Sequence, residues 1–340
     1  MISRTTDDIP PFPEDVPTAP IGTISLAKIV DGDRTESAQA VEACRTHGFF
    51  YLDLTTTPLG QDLVNDAEEL QDLSKQLFDQ PLKDKMAYQH TPGNLFGYKE
   101  AGTVKQTDVT LRPDSTEFFN IAKDHMHGVA ESRTYPQEVL DNKVLFQSFQ
   151  KKAHEVCMTI LAALATQLDL PPKSFMDKNI FTEPSGDHCR LTHKIPHVTD
   201  KNAIGLPSHT DFGSITLLFN WLGGLQIQSR DLEKAGEWEF VKPVPGHAII
   251  NLGDAMVTFT NGYLKSAKHR VVPAPGEQAE ISRYSVVYFV RPHNAVVMEP
   301  LEKFRDLAPE MKVAGKFKPE GDKVLTAGEW MTQRTKQMGQ

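Results

Sequence analysis

The stretch Leu206-Pro-Ser-His-Thr-Asp-Phe-Gly-Ser-Ile-Thr-Leu-Leu-Phe219 decides how this chain is read. Its apolar run reads as a strand, with Pro207 and Gly223-Gly224 marking the ends. Side chains at i and i+2 of a strand share a face, so His209 and Asp211 are expected to set an imidazole beside a carboxylate. One such triplet arises about once by chance in a chain with 12 histidines, so alone it decides nothing.

The residues downstream give it weight. A β-like run, Ala248 to Leu252, leads into Gly253-Asp254. Asn261-Gly262 and Lys265-Ser266 then precede His269-Arg270-Val271, and Arg283-Tyr284-Ser285 stands in the alternating run Ile281 to Val290. Two histidines and one carboxylate with positions left open are the facial ligand set of non-haem Fe(II) oxygenases. An arginine and a hydroxyl two residues apart on a strand can grip a carboxylate, the arginine through both of its prongs.

Taken together, His209-x-Asp211, Asn261-Gly262 with Lys265-Ser266, His269-Arg270-Val271 and Arg283-x-Ser285 resemble one family. It is the iron(II)- and 2-oxoglutarate-dependent dioxygenases of the isopenicillin N synthase-like superfamily. Ala43 to Phe50, Pro81 to Lys85 and Glu117 to Ile121 also resemble that family, so the likeness covers roughly residues 20 to 300. It implies a mainly β protein with α: a double-stranded β-helix (a cupin-like jelly roll) with flanking N-terminal and C-terminal helices. The expected division is 1–180 as an N-terminal region packed on the core, 181–300 as the jelly roll and 301–340 as a C-terminal tail.

The resemblance also implies roles. His209, Asp211 and His269 would hold Fe(II). Arg283, with Ser285 as second donor, would take the distal carboxylate of 2-oxoglutarate. O2 would be the second cosubstrate. The reaction would oxidise a C–H bond of a small specialised metabolite by hydroxylation, desaturation or ring formation, releasing succinate and CO2. There is a departure: where plant members usually carry Asn-x-Tyr, this chain has Thr192 and Lys194. Lys194 then has three possible roles: a partner of the cosubstrate carboxylate, a partner of an acidic group on the substrate, or a side chain that snorkels to water. Two other functions stay open at this point, a 2-oxoglutarate-independent iron oxidase and a non-catalytic small-molecule binding module on the same fold.

Composition narrows the partners. A formal charge of -9 with no basic stripe argues against nucleic acid. No run approaches the ~20 apolar residues of a membrane span. The polar N-terminus lacks the apolar core of a signal peptide, so the cytosol is the expected compartment. Cys44, Cys157 and Cys189 form no CxxC pair and read as reduced, buried thiols. A small molecule is the expected partner; no feature fixes an oligomeric state.

Elsewhere, periodicity predicts helices over 36–46, 61–79 and 139–168, the last whole or broken. Thr23 to Val30 and Met256 to Phe259 read as strands. Thr326-Ala-Gly-Glu329 is a capping box. His125 and His127 are expected in a solvated loop. Arg270 and His193 are expected to face away from the site. Phe96, Tyr98, Phe118, Phe212, Trp221 and Phe289 are candidate pocket walls.

Overall fold

The structure, a computed structural model, describes residues 9–91, 93–103, 113–196, 204–234, 236–307 and 324–337. The N-terminal part runs β1 (Thr23–Ser25), α1 (Leu26–Val30), α2 (Arg34–Thr46), β2 (Phe49–Asp53), α3 (Pro58–Phe78) and α4 (Leu82–Met86). It continues through β3 (Gly97–Lys99), β4 (Thr116–Ala122), α5 (Lys123–Met126), α6 (Gln137–Asp141), α7 (Lys143–Gln167) and α8 (Lys173–Met176). Then come β5 (His188–Lys194), β6 (Leu206–His209), β7 (Ile215–Asn220), β8 (Leu225–Gln228), β9 (Trp238–Phe240) and β10 (His247–Leu252). The chain closes with α9 (Asp254–Phe259), β11 (His269–Val271), β12 (Arg283–Val290) and α10 (Ala327–Gln337).

Two sheets form the jelly roll. The larger has eight strands in the order β1-β2-β10-β7-β12-β5-β4-β3; the smaller has four, β6-β11-β8-β9. The outer face of the large sheet is apolar because α3 and α7 lie on it. Leu63, Leu70, Leu77, Phe149 and Leu161 from the helices join Leu191, Leu217, Val286 and Tyr288 from the strands in one core. Each fully buried Leu or Phe contributes about 1.5–3 kcal/mol. At one end the space between the sheets is filled by Phe49, Tyr51, Leu225, Ile227 and Ile249. Toward β5 and β12 the inner face is polar instead, and there the site lies.

Most of the expected elements form. The 139–168 stretch, expected whole or broken, is broken near its start at Asn142, between α6 and α7. Two expectations are corrected. Only Thr23–Ser25 is strand; Ser25 caps Lys28 N–H and turns the following residues into α1. Met256 to Phe259 is helical, within α9, because Gly253 starts a turn of helix over the loop at Asp211. The capping box closes as expected: Thr326 N–H donates to Glu329 Oε2 at 2.9 Å and Glu329 N–H to Thr326 Oγ1 at 3.3 Å. His125 and His127 do not stand in a solvated loop. His125 hydrogen-bonds the Tyr135 hydroxyl and His127 packs edge-on to Phe181. Residues 104–112 and 197–203 lie outside the described residues. Among the described residues no helix is long and apolar enough to cross a membrane.

Candidate active site

The stretch 206–219 is not one strand. β6 ends at His209 in the small sheet, and β7 begins at Ile215 in the large one. The crossing is tight: a Cβ on Gly213 would stand 2.6 Å from Val290 O, so only glycine passes there. Asp211 therefore lies in a turn, beyond the strand on which it was expected. The turn still folds its carboxylate back, and Oδ1 stands 3.7 Å from His209 Nε2 and 3.8 Å from His269 Nε2. His269 faces His209 across the β6–β11 pair, with ring centroids 4.3 Å apart. One ligand atom from each of the three lies within 4.8 Å of the others, a spacing that suits a single metal ion.

The remaining atoms of these side chains are committed. His209 Nδ1–H donates to Pro207 O at 2.8 Å and His269 Nδ1–H to Ala267 O at 3.2 Å, which leaves both Nε2 lone pairs free. Asp211 Oδ2 accepts from Thr216 Oγ1 and Asn251 Nδ2, each at 2.8 Å, which leaves Oδ1 for a metal. Burial raises the Asp211 pKa, but His269, His209 and those two donors outweigh it and hold the carboxyl at about 2. Burial, reinforced by His269, lowers His209 to about 4, so the imidazole is neutral and able to ligate. The donor set is two imidazole nitrogens and one carboxylate oxygen, which suits Fe(II).

The N-terminal signature supports this corner. Gly48, at φ +70°, follows α2, and its N–H bonds Ala43 O. A Cβ there would stand 2.6 Å from Lys265 O. Lys265 N–H donates to Cys44 O, and the Phe49 ring meets His269 edge-on at 5.6 Å. On the other side Asp254 N–H donates to Asp211 O and Asp254 Oδ2 accepts from Thr210 Oγ1. Arg334 of α10 reaches the same Asp254 oxygen at 2.8 Å, which ties the C-terminal helix to the Asp211 turn.

The second cluster lies on β5 and β12. Register sets Arg283 opposite Lys194 and Ser285 opposite Thr192. The Thr192 and Ser285 hydroxyls bond each other. Arg283 is 5% exposed and spends Nε on Gly223 O at 2.8 Å. Lys194 is 4% exposed, and Gly205 leaves room for its chain, since a Cβ there would meet Lys194 Cδ at 2.7 Å. Burial, with Arg283 adding, lowers Lys194 to about 8; burial lowers Arg283 to about 10. Among the described residues neither cation meets a carboxylate. A buried unpaired charge is costly, so the pair is built for an incoming anion.

The residues expected to face away do so. Arg270 bonds Gln226 and lies over Trp238. His193 turns to the outer face, bonding Glu117 and stacking on Tyr284. Tyr98 also turns outward, to Glu117, and leaves the set of pocket walls. Of the others, Phe96 packs edge-on to His188, Phe212 lies against Arg291, Trp221 packs on the core, and Phe118 and Phe289 line the inner face. Between them lies Arg190, which sequence reasoning passed over; its two-residue step from Thr192 on β5 was the available signal.

A jelly roll with a His-Asp-His cluster inside it and a buried arginine on β12 of the other sheet is the architecture of a non-haem iron oxygenase. The models of the 2OG-Fe(II) oxygenase superfamily and of the N-terminal region of non-haem dioxygenases in morphine synthesis match residues 186–292 and 21–142. A 2-oxoglutarate-dependent dioxygenase of Aspergillus fumigatus is 33% identical over 342 residues, covering 95% of this chain and 87% of that protein. Another, from Gibberella zeae, is 32% identical over 283 residues, covering 82% and 81%. Among solved structures, a 2OG-Fe(II) oxygenase family protein of Caulobacter crescentus superposes with TM-score 0.74 at 25% identity, covering 94% of this chain and 100% of that one. A full-length Neurospora crassa protein, crystallised in complex with alpha-KG and thymine, gives 0.74 at 23%, covering 93% and 96%. The chain belongs to the 2OG-Fe(II) oxygenase superfamily. It is an oxidoreductase that uses Fe(II), 2-oxoglutarate and O2.

Proposed function

We propose that His209, Asp211 and His269 hold the iron, and that Arg283, Ser285 and Lys194 hold the distal carboxylate of 2-oxoglutarate, for oxidation of a small specialised metabolite. The observation that carries this reading is the separation of the two clusters. Three metal-competent atoms converge at the β6–β11 corner, and two buried cations that meet no carboxylate among the described residues stand opposite each other on β12 and β5. A dicarboxylate bridges such a pair of sites. Bound there, iron and cosubstrate supply the oxidising chemistry, with release of succinate and CO2.

The chain's own residues orient and exclude. Pro207 O and Ala267 O fix the imidazole tautomers, and Thr216 and Asn251 hold the carboxylate rotamer. Arg283 is aimed by Gly223 O, so its outer nitrogens are free for the cosubstrate. Phe118 and Phe289 wall off water beside the reacting position. In this reading residues 181–300 carry the chemistry, with 1–180 packed on them and 301–340 as the tail.

The test is spectroscopic. Fe(II) and 2-oxoglutarate added without oxygen should give the weak visible band of a chelated 2-oxo acid near about 500 nm, a property of the cofactor pair. His209→Ala should abolish it. A wild-type protein that binds iron but shows no band with 2-oxoglutarate would overturn the cosubstrate assignment.

A further inference from the structure

Arg190 is a third cation on the inner face, and neither cluster accounts for it. It sits on β5 in register with Val287 and Asn120, two residues from Thr192. Its Nε donates to Asn120 Oδ1 at 2.7 Å. Its guanidinium carbon lies 4.0 Å from the Phe118 ring centroid and 5.0 Å from that of Phe289. The two rings and the single bond fix the fork, and its terminal nitrogens make no hydrogen bond among the described residues. Asp211 is the carboxylate close enough to favour its charge, and that carboxylate belongs to the metal cluster.

The surroundings sharpen the imbalance. Arg291 lies over Phe212, its ring-to-guanidinium distance 3.7 Å, and is 5% exposed. Its Nε and Nη1 are buried without a partner. Burial and then Arg190 lower the Arg291 pKa to about 9, and the nearby Lys99 is already neutralised by Asp114. His188 completes the group. It stacks on Phe289 at 4.7 Å, donates Nδ1–H to Gly186 O, and leaves Nε2 buried and unpartnered. Burial and the two arginines keep it neutral. Asp211 and Asp187 favour the charge of Arg291, and Asp211 that of Arg190, but among the described residues no carboxylate bonds the Arg190 fork. The cosubstrate's far carboxylate has its own pair of cations at Lys194 and Arg283.

We propose that the substrate is a small organic acid, and that Arg190 grips its carboxylate and thereby sets which C–H bond faces the metal. This deepens the reading above and rests on it. Guanidinium and carboxylate match prong for prong. Phe118 and Phe289 hold the guanidinium plane between them, so the fork is presented in one orientation. Arg291 adds field from behind without needing contact.

The test uses the full chain, loaded with Fe(II) and 2-oxoglutarate under nitrogen. Benzoate, phenylacetate and cyclohexanecarboxylate are titrated, each beside its amide, and perturbation of the visible band reports binding. At least one acid should bind about ten- to a hundredfold more tightly than its amide, the worth of a hydrogen bond to a charged group. Arg190→Gln should abolish that preference while its 2-oxoglutarate half-saturation stays at the wild-type value. Arg190→Lys, which keeps charge but not the fork, should retain part of the preference. If every amide binds wild type as well as its acid, the proposal is wrong, whatever the variants do. If Arg190→Gln instead raises the 2-oxoglutarate requirement, Arg190 serves the cosubstrate and the proposal is also wrong. The unperturbed band of the wild type separates both failures from a failure of the cofactor assignment.

Discussion

Arg283 and Lys194 stand directly opposite each other on β12 and β5, two buried cations on one face of the sheet with no carboxylate between them among the described residues. Thr116 continues the same row on β4, its hydroxyl buried and without a partner among the described residues. A folded chain keeps such a row only where a ligand resolves it, because each uncompensated charge opposes folding. If the ligand is the cosubstrate, as proposed, its affinity is built against stability. The two can be separated by substitution.

Arg283→Gln removes one half of the row and the fork proposed to meet the carboxylate. Losing one partner of a desolvated charge pair costs about 2–5 kcal/mol, or roughly 30- to 4,000-fold in affinity. The 2-oxoglutarate concentration needed to saturate the visible band should rise by that factor, while iron content stays near one per chain. An unchanged half-saturation would remove Arg283 from the cosubstrate site.

Lys194→Met keeps most of the side-chain volume and removes the charge. The apo variant should be more stable than wild type by about 1–2 kcal/mol, since an apolar side chain replaces an unpaired buried ammonium. It should also need more 2-oxoglutarate for decarboxylation in the absence of substrate. If that requirement is unchanged but coupling to product falls, Lys194 faces the substrate instead. If neither moves, it plays no part in the site.

What the sequence revealed and what it hid follow from the range of the forces involved. The helices α3 and α7 were legible because their apolar residues repeat on one face. The capping box at Thr326 was legible because its hydrogen bonds are local. The strand read through 206–219 was wrong: alternation cannot show that the chain changes sheets at Gly213, a contact made with Val290 in another strand. Arg190 was passed over for the same reason. Its meaning depends on Asn120, Phe118 and Phe289, which topology brings together with it from neighbouring strands.

Asp211→Ala takes away the anionic member of the His-Asp-His cluster and leaves two neutral imidazoles. It also strands the Thr216 hydroxyl and the Asn251 amide, both aimed at Oδ2. Each unsatisfied buried group costs about 1–3 kcal/mol. The expected outcome is loss of iron together with a lower unfolding midpoint, read by metal analysis and thermal melts. A variant that retained one iron per chain would show that the carboxylate is not a ligand.

Gly48→Ala tests the support behind His269. The residue sits at φ +70°, and the added Cβ would meet Lys265 O at 2.6 Å. A side chain at such a left-handed position costs about 1–3 kcal/mol before the clash is counted. The 265–267 segment must move, and His269 moves with it. Stability should fall by at least that amount and iron affinity should weaken, although Gly48 is not among the three expected ligands. An iron affinity equal to wild type in the folded variant would show that the His269 corner holds without this contact.

The cosubstrate site should also respond to pH through Lys194. Burial, and then Arg283, lower its pKa from 10.5 to about 8 in the free protein. The folded chain thus holds this proton less tightly than the unfolded chain. The lysine costs stability below about pH 8, and the cost fades as pH rises toward 10.5. Binding runs in the opposite sense. The 2-oxoglutarate carboxylate favours the ammonium, so affinity should be level below about pH 8 and fall above it, by up to about tenfold per unit while only the protonated form binds. In Lys194→Met the fall should vanish, leaving weaker binding that stays level from pH 7 to about 9, because Arg283, held at about 10, is still charged there. Titrating the visible band with 2-oxoglutarate at a series of pH values measures both curves. A wild-type curve that stays level through pH 9 would mean that Lys194 does not meet the cosubstrate.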